Sequence, residues 1–520
     1  MPRCGNSRVM RTSRDKEGKM ERIKLNGRLT VEDINSLPEI PVEGINYEQI
    51  YIEKEPLCPE YVPPDETIIS SAKRSVVIDP CRLCMPFGAL WASVGMHKCI
   101  PFVQGAQGCA TYPRYTFCRV FREPVSIATA SFHEDTAVFG GQKNLVEGIR
   151  NLICRYQPDI ISIVTVCSSE IIGDDMQGYL DEAKRQLEEE FGPEILDRVK
   201  FVITNTPSFA GSHVEGYNRA AKSFLQAFAR QRSLSDKVNI IPGMITPGDI
   251  REVKHILRLM GIEGIILFDI SGTLDCPLRL PQSMPYYPKG GTKLAEIADM
   301  ANSLATFALS PDEGSAGATY LEKRFKIPAI IGPLPLGIYS TDRLVKKLAE
   351  VTGKPIPEEL KDERGILLDA MADTFHYTMM RRVAVCGDPD IVAAATRFVC
   401  ELGMEPVAIL SGTQSKVFEQ ELKEMAEEYN FKPTIFNGGD MFEWEDFIKR
   451  EKIDLILGNS KAVNISKEAG IPLVRIGFPI YDRVGYQRRA NIGYRGGEYL
   501  LDLIVNTILD SKFPDDRVHQ

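Results

Sequence analysis

Three cysteines and one serine in the first half of the chain have the types and spacing for metal chemistry. Cys84, Cys109 and Cys167 lie in a stretch from Cys81 to Asp175, and Ser208 follows in Asn205-Thr-Pro-Ser-Phe-Ala-Gly-Ser212. Cys84 precedes Met-Pro-Phe-Gly, where Pro86 suits the first turn of a helix. Cys109 follows a turn made permissive by Gly105 and Gly108, which lets backbone approach a bulky ligand closely. Cys167 comes directly after the apolar run ending at Val166, and Ser208 just after the run ending near Thr204. Ligands of an open parallel sheet sit beyond the carboxyl ends of its strands, so both residues face one crevice edge. Zinc prefers four thiolates or a Cys/His set, usually in close C-x-x-C pairs. Cys81-x-x-Cys84 is such a pair, but no second pair answers it, and His97, His133 and His213 lack ligand-like spacing. An iron–sulfur cluster suits widely spaced cysteines better. Three thiolates are one fewer than a cubane normally takes, which points to a cluster shared with a second chain or to a serine ligand.

The elements that must position these residues are legible from about Ser75 onward. Asp159-Ile-Ile-Ser-Ile-Val-Thr-Val166 and Val199-Lys-Phe-Val-Ile-Thr204 read as buried parallel strands, with a helix from Met176 to Glu190 between them. This alternation predicts a doubly wound sheet. A second unit of the same style starts near Val238. It has a helix from Arg251 to Met260, a strand Gly264–Phe268 and a helix around Lys293 to Phe307. A third starts near Arg382, with the strand Val383–Cys386, a helix Ile391–Leu402 ended by Gly403, and strands Glu405–Leu410, Asp454–Gly458 and Pro472–Ile476. Cys386-Gly-Asp-Pro lacks the full G-x-G-x-x-G spacing and reads as a tight β-α turn. Residues 22–75 are rich in Pro, Glu and Tyr, and residues 1–75 are expected to form an extended or partly disordered arm. The fold class is therefore α/β. Its expected division is an arm (1–75), a ligand-bearing domain (76–237), a second domain (238–380) and a third (381–520).

Composition narrows the partners. A net charge of -9 does not favour nucleic acid, which needs clustered Lys and Arg. No apolar run approaches the roughly 20 residues that span a bilayer. The basic, polar segment Met1–Lys19 is not a secretory signal, and either Met1 or Met20 could be the start. Twelve cysteines in 520 residues are too sparse for a disulfide scaffold, so reduced thiols and a cytoplasmic location are expected. Cys386 and Cys400 sit in apolar runs and Cys154 in a helix-like pattern, so all three read as core.

Several motifs together resemble one family. Cys84-Met-Pro-Phe-Gly-Ala, Gln-Gly-Cys109, Phe121-Arg-Glu-Pro124, His133-Glu-Asp-Thr-Ala-Val-Phe-Gly-Gly141, Ile171-Ile-Gly-Asp-Asp175, Asn205-Thr-Pro-Ser-Phe-Ala-Gly-Ser-His213 and Arg475-Ile-Gly-Phe-Pro-Ile-Tyr-Asp-Arg483 closely resemble the β subunit of nitrogenase component 1, from about Ser75 to the C-terminus. The resemblance implies three Rossmann-like doubly wound domains and an α2β2 assembly. It implies an 8Fe-7S P-cluster at the interface with an α subunit, with Cys84, Cys109 and Cys167 as β-side ligands and Ser208 as a redox-dependent one. Gln104 and Tyr112 would neighbour the cluster, and Phe139 would lie where a homodimeric, ATP-dependent iron protein docks. Glu123 resembles a residue that helps hold a cation between β chains, but partner carboxylates are not clearly matched near Asp342. The substrate-reducing iron–sulfur cofactor, with molybdenum or without, would sit in the α subunit, leaving no catalytic residue in this chain.

The match departs at Gln104, where the family usually has His. Gln hydrogen-bonds but cannot take up a proton. Ala106, Pro113, Cys81, Cys99 and Cys118 are also unusual. Three readings stay open: an electron-relaying β subunit of a dinitrogen reductase, the β subunit of a nitrogenase-like methylthio-alkane reductase that cleaves C–S bonds, and a cofactor-assembly scaffold.

Overall fold

The computed structural model describes residues 11–14, 20–23, 68–71, 77–278 and 286–512. Two units are distinguished, Met1–Val62 and Pro63–Gln520. In the first, β1 (Arg11–Arg14) pairs antiparallel with β2 (Met20–Ile23). The rest of the expected arm lies outside the described residues, except β3 (Ile68–Ser71). That strand belongs to the second unit, as the edge of a large sheet.

Three parallel sheets build the second unit. The first contains β4 (Cys99–Gln104), β5 (Ala128–Thr129), β6 (Ile160–Thr165) and β7 (Lys200–Thr204) in the order β5-β4-β6-β7. The next contains β8 (Val238–Ile241), β9 (Gly264–Ile266), β10 (Ala305–Ala308) and β11 (Ala329–Ile331) in the order β11-β10-β8-β9. The last contains β12 (Arg382–Gly387), β13 (Glu405–Ser411), β14 (Thr434–Asn437), β15 (Leu455–Gly458) and β16 (Leu473–Arg475), with β3 beside β14. Leaving the edge strand β3 aside, in each sheet the chain moves outward from its first strand to one side and then crosses to the other. The switch points fall between β4 and β6, β8 and β10, and β12 and β15, where such folds bind ligands.

The apolar pattern explains the layers. All six residues of β6 are buried. Ile161 and Ile163 face one core with Leu145, Ile149, Leu180 and Leu187, while Ile160 and Val164 face the large central core. A strand buried on both faces needs apolar residues at odd and even positions alike. No helix among the described residues is long and apolar enough to cross a membrane.

Two expectations are corrected. The helix around Lys293 to Phe307 is a helix only over Leu294–Asp299, followed by a 3-10 turn, Met300–Asn302. Ala305–Ala308 is instead a fully buried strand between β8 and β11, because a run that fills a sheet gap is held by ladder bonds on both sides. Cys154 is exposed rather than core. Its helix, Gln142–Tyr156, turns Leu145, Ile149, Leu152 and Ile153 inward, and Cys154 falls off that stripe.

One helix crossing positions the candidate ligands. The helix Met85–Val94 lies against the helix His213–Phe228. A methyl group at Gly88 would overlap the His213 carbonyl oxygen, and one at Gly216 the Met85 carbonyl oxygen. Backbones meet directly there, which only glycine permits. Gly216→Ala is therefore expected to destabilise the protein by about 1–3 kcal/mol through overpacking. The check is the thermal unfolding midpoint, and an unchanged midpoint would show that the helices separate freely.

Candidate metal centre

Three strand ends and one helix start deliver the sequence-predicted ligands to one place. β4 ends at Gln104, and Cys109 follows in the first turns of the helix Gln107–Phe121. β6 ends at Thr165, and Cys167 opens the short helix Cys167–Ile172. β7 ends at Thr204, and the following loop is pinned to β6. Thr206 donates its amide to Thr165 Oγ1 at 2.9 Å and its hydroxyl to Thr165 O at 2.6 Å. Ser208 in that loop donates its amide to Cys167 Sγ at 3.3 Å. Cys84 is the extended N-cap residue of Met85–Val94 and bridges to Ser212, while Met85 donates its amide to Ser208 Oγ at 3.3 Å. Ser208 thus touches both the Cys84 and Cys167 segments.

The floor is aromatic. Phe87 stacks on Phe117 at 4.9 Å, and Trp91 meets Phe478 edge-on at 5.0 Å. This packing joins the helices that carry Cys84 and Cys109. Pro113, buried inside the Cys109 helix, removes the N–H that would otherwise bond to the Cys109 carbonyl.

The electrostatics suit thiols that await a cation. Burial pushes the Cys84 thiol above its ordinary pKa, and charge on Cys109 or Cys167 pushes it further. Cys109 is raised by burial and then by Cys167. A bound metal ion reverses this cost, because it deprotonates a coordinating thiol. The three thiols do not lie within 4.8 Å of one another. Cys109 is exposed and Cys84, Cys167 and Ser208 are half-buried, so the site is open on one side. Ile171, Phe209, Val138 and Phe139 are exposed apolar residues on the segments next to these ligands.

The remaining candidates divide. Tyr112 is half exposed one turn beyond Cys109, and its hydroxyl pKa is raised by burial and then by Cys84. Phe139 ends the helix Glu134–Phe139 and is 85% exposed. Glu123 accepts from Cys118 Sγ through its carbonyl at 3.3 Å, and its carboxyl is raised by partial burial and then by Asp275. Asp342 accepts from Arg364 Nε at 2.9 Å and from the Tyr494 hydroxyl at 2.6 Å.

Gln104 is fully buried, and its partner was missed in the sequence. Its Nε2 donates to Gly141 O at 3.2 Å and to Asp174 Oδ2 at 3.3 Å, while Oε1 has no hydrogen-bond partner. Asp174 Oδ1 accepts the Gly141 amide at 3.1 Å. Asp174 therefore ties the end of β4 to the glycine turn after Phe139. The only sequence signal was an acidic pair, Asp174-Asp175, after a glycine.

Residues 84–509 match the family model described as nitrogenase component 1 type oxidoreductase. Over 452 residues the chain is 44% identical to a Methanococcus maripaludis protein named nitrogenase molybdenum-iron protein beta chain, covering 86% of this chain and 98% of that one. It is 39% identical over 459 residues to a Trichormus variabilis protein named nitrogenase vanadium-iron protein beta chain, covering 86% and 98%. A solved structure titled "Nitrogenase Cp1 at pH 6.5" superposes with a TM-score of 0.82 at 35% identity, covering 86% of this chain and 97% of that chain.

Gln104→Leu removes two hydrogen bonds and leaves the Asp174 carboxylate and the Gly141 carbonyl short of a donor. The expected loss is about 1–3 kcal/mol. Gln104→His keeps one N–H donor and is expected to lose less. Thermal midpoints of the two variants check the order, and equal midpoints would show that the donor contributes nothing.

Proposed function

The chain belongs to the nitrogenase component 1 family of oxidoreductases as a β-type subunit, and on that premise we propose that it relays electrons through a P-cluster shared with an α subunit. Cys84, Cys109 and Cys167 would hold the β half of an 8Fe-7S cluster, and the α subunit would supply the remaining thiolates. When bound, such a cluster supplies one-electron storage and transfer over a range of potentials. The chain's own residues fix its ligands and exclude water from one side. Ser208 would hold its hydroxyl oxygen ready as an additional ligand in an oxidised state, since loop contacts to Thr165 and Cys167 already position it. Gln104 and Tyr112 would border the cluster. Phe139, exposed at a helix end, would meet a homodimeric ATP-dependent iron protein. Substrate reduction would take place at an iron–sulfur cofactor in the α subunit, in an α2β2 assembly that converts dinitrogen to ammonia. We read the three sheets as three domains, 76–237, 238–380 and 381–520.

The observation that carries this reading is the convergence of three thiols and one serine from separate segments on one opening. General acid–base chemistry would need titrating groups there, and the set offers donors for metal instead. The first test is anaerobic purification of the native complex and measurement of iron, molybdenum and vanadium per αβ pair. Iron well above a single cubane with stoichiometric molybdenum or vanadium supports a dinitrogen reductase. Abundant iron with neither metal shifts the reading to an iron-only or a C–S-cleaving reductase. Little or no iron in an intact complex overturns the shared cluster. In the same complex, Cys109→Ala is expected to abolish turnover while assembly persists. Unchanged reduction by that variant would exclude a relay role and favour a scaffold.

A further inference from the structure

We propose a second metal site, for a divalent first-row ion such as zinc, formed by Glu252, His255 and Glu363. It shares no residue with the cysteine set. Glu252 and His255 lie three residues apart on the helix Pro247–Leu259, one turn along the same face. Glu363 projects from the helix Glu358–Thr378, 108 residues further on. One ligand atom from each of the three lies within 4.8 Å of the others, the only such group of His, Cys, Asp and Glu among the described residues.

The donors are buried and under-used. Glu252 is 3% exposed. Its Oε2 faces Arg495 NH1 at 3.4 Å, while its Oε1 has no hydrogen-bond partner. Glu363 uses Oε1 for His255 Nε2 at 2.6 Å, and its Oε2 is likewise buried without a partner. Two orphan carboxylate oxygens in one cluster are costly, at about 1–3 kcal/mol each for a buried acceptor. A cation between them removes that cost. Burial has raised the Glu252 carboxyl to about 7, with Arg495 pulling the other way, so the single exposed guanidinium does not fully compensate it.

The charge and geometry balance with a divalent ion. Two carboxylates and a neutral imidazole neutralise it, and mixed oxygen and nitrogen donors suit zinc or manganese better than copper(I), which favours thiolates. Ligands about 2.1 Å from one tetrahedral ion lie about 3.4 Å apart, so the 2.6 Å His255–Glu363 contact must open by about 0.8 Å. His255 Nδ1 accepts from Arg258 NH2 at 2.9 Å, which leaves the ring proton on Nε2. On metal binding that proton moves to Nδ1 and the exposed Arg258 side chain turns away, with no net loss of a proton from the ring. Water completes the coordination. Gly493 keeps the place open, since a methyl there would sit 2.9 Å from Glu252 Oε1.

Crystals of the native complex, with and without a zinc soak, measured just above and just below the zinc absorption edge, decide the matter. The expected result is an anomalous peak between Glu252, His255 and Glu363, about 2.1 Å from each ligand atom. No peak there after soaking overturns the proposal, and iron elsewhere cannot supply a zinc-edge difference. Equilibrium dialysis gives a second readout. Glu252→Gln and His255→Ala are each expected to bind one zinc fewer per chain than the native complex, and an unchanged count in both overturns the site. Should either variant fail to assemble, the crystallographic result stands by itself.

Discussion

The structure depends on one close crossing, where the helix Met85–Val94 and the helix His213–Phe228 meet backbone to backbone at Gly88 and Gly216. His213 locks it. Leu83 donates its amide to His213 Nδ1 at 3.3 Å, and His213 Nε2 faces Asp388 Oδ1 at 3.0 Å, so the ring carries its hydrogen on Nε2. Asp388 follows β12, and the neighbouring Asp390 accepts the amides of Asp312 and Glu313 after β10, each at 3.2 Å. Thr413, after β13, donates to Ser212 Oγ at 2.8 Å. The carboxyl-terminal edges of all three sheets are therefore cross-linked around the segments that hold Cys84 and Ser208. Buried polar links of this kind are costly to break, because removing one partner leaves the other desolvated and unpaired.

This explains why the Cys386-Gly-Asp-Pro turn is rich in acid. Its carboxylates serve as acceptors for histidine and backbone donors from other sheets. The reading of a tight β-α turn was sound, but the partners of Asp388 and Asp390 lie 175 and 77 residues away in sequence. Local pattern carries period and turn chemistry; it carries no long-range pairing. The same divide runs through the site. Cys167 and Ser208 could be placed at strand ends because their strands are uninterrupted apolar runs. Gln104 could be placed beside them, but its bond to Asp174 crosses 70 residues.

The misses have physical causes. Ala305–Ala308 is short and rich in alanine, a residue that suits a helix, so local propensity pointed the wrong way and the gap between β8 and β11 decided its conformation. Ile68–Ser71 sits in a stretch rich in proline, where an edge strand is the one kind of strand that tolerates such flanks. Glu252 and His255 were readable as a pair on one helix face. Glu363 was not, because nothing in its own helix distinguishes it from solvent-facing acids.

The Cys81-x-x-Cys84 pair shows how conformation settles what spacing leaves open. A C-x-x-C unit chelates one ion when a turn brings both sulfurs to the same side. Here the chain bends at Cys81 and Arg82 before the extended Cys84, which has φ −67° and ψ 152°. Cys81 and Cys84 therefore meet different surroundings, Cys81 buried and Cys84 half-buried. Cys81 accordingly turns into the core beside Cys386, Ala408 and Trp444, where burial pushes its thiol up to about 12 and Asn459 Nδ2 approaches at 3.8 Å. Cys84 turns to the open side, toward Cys109 and Cys167. One cysteine is thus held as an inert thiol in the packing of the third sheet, and the other is left available. The thiols that act on Cys84 come instead from Cys109 and Cys167, which follow distant strand ends.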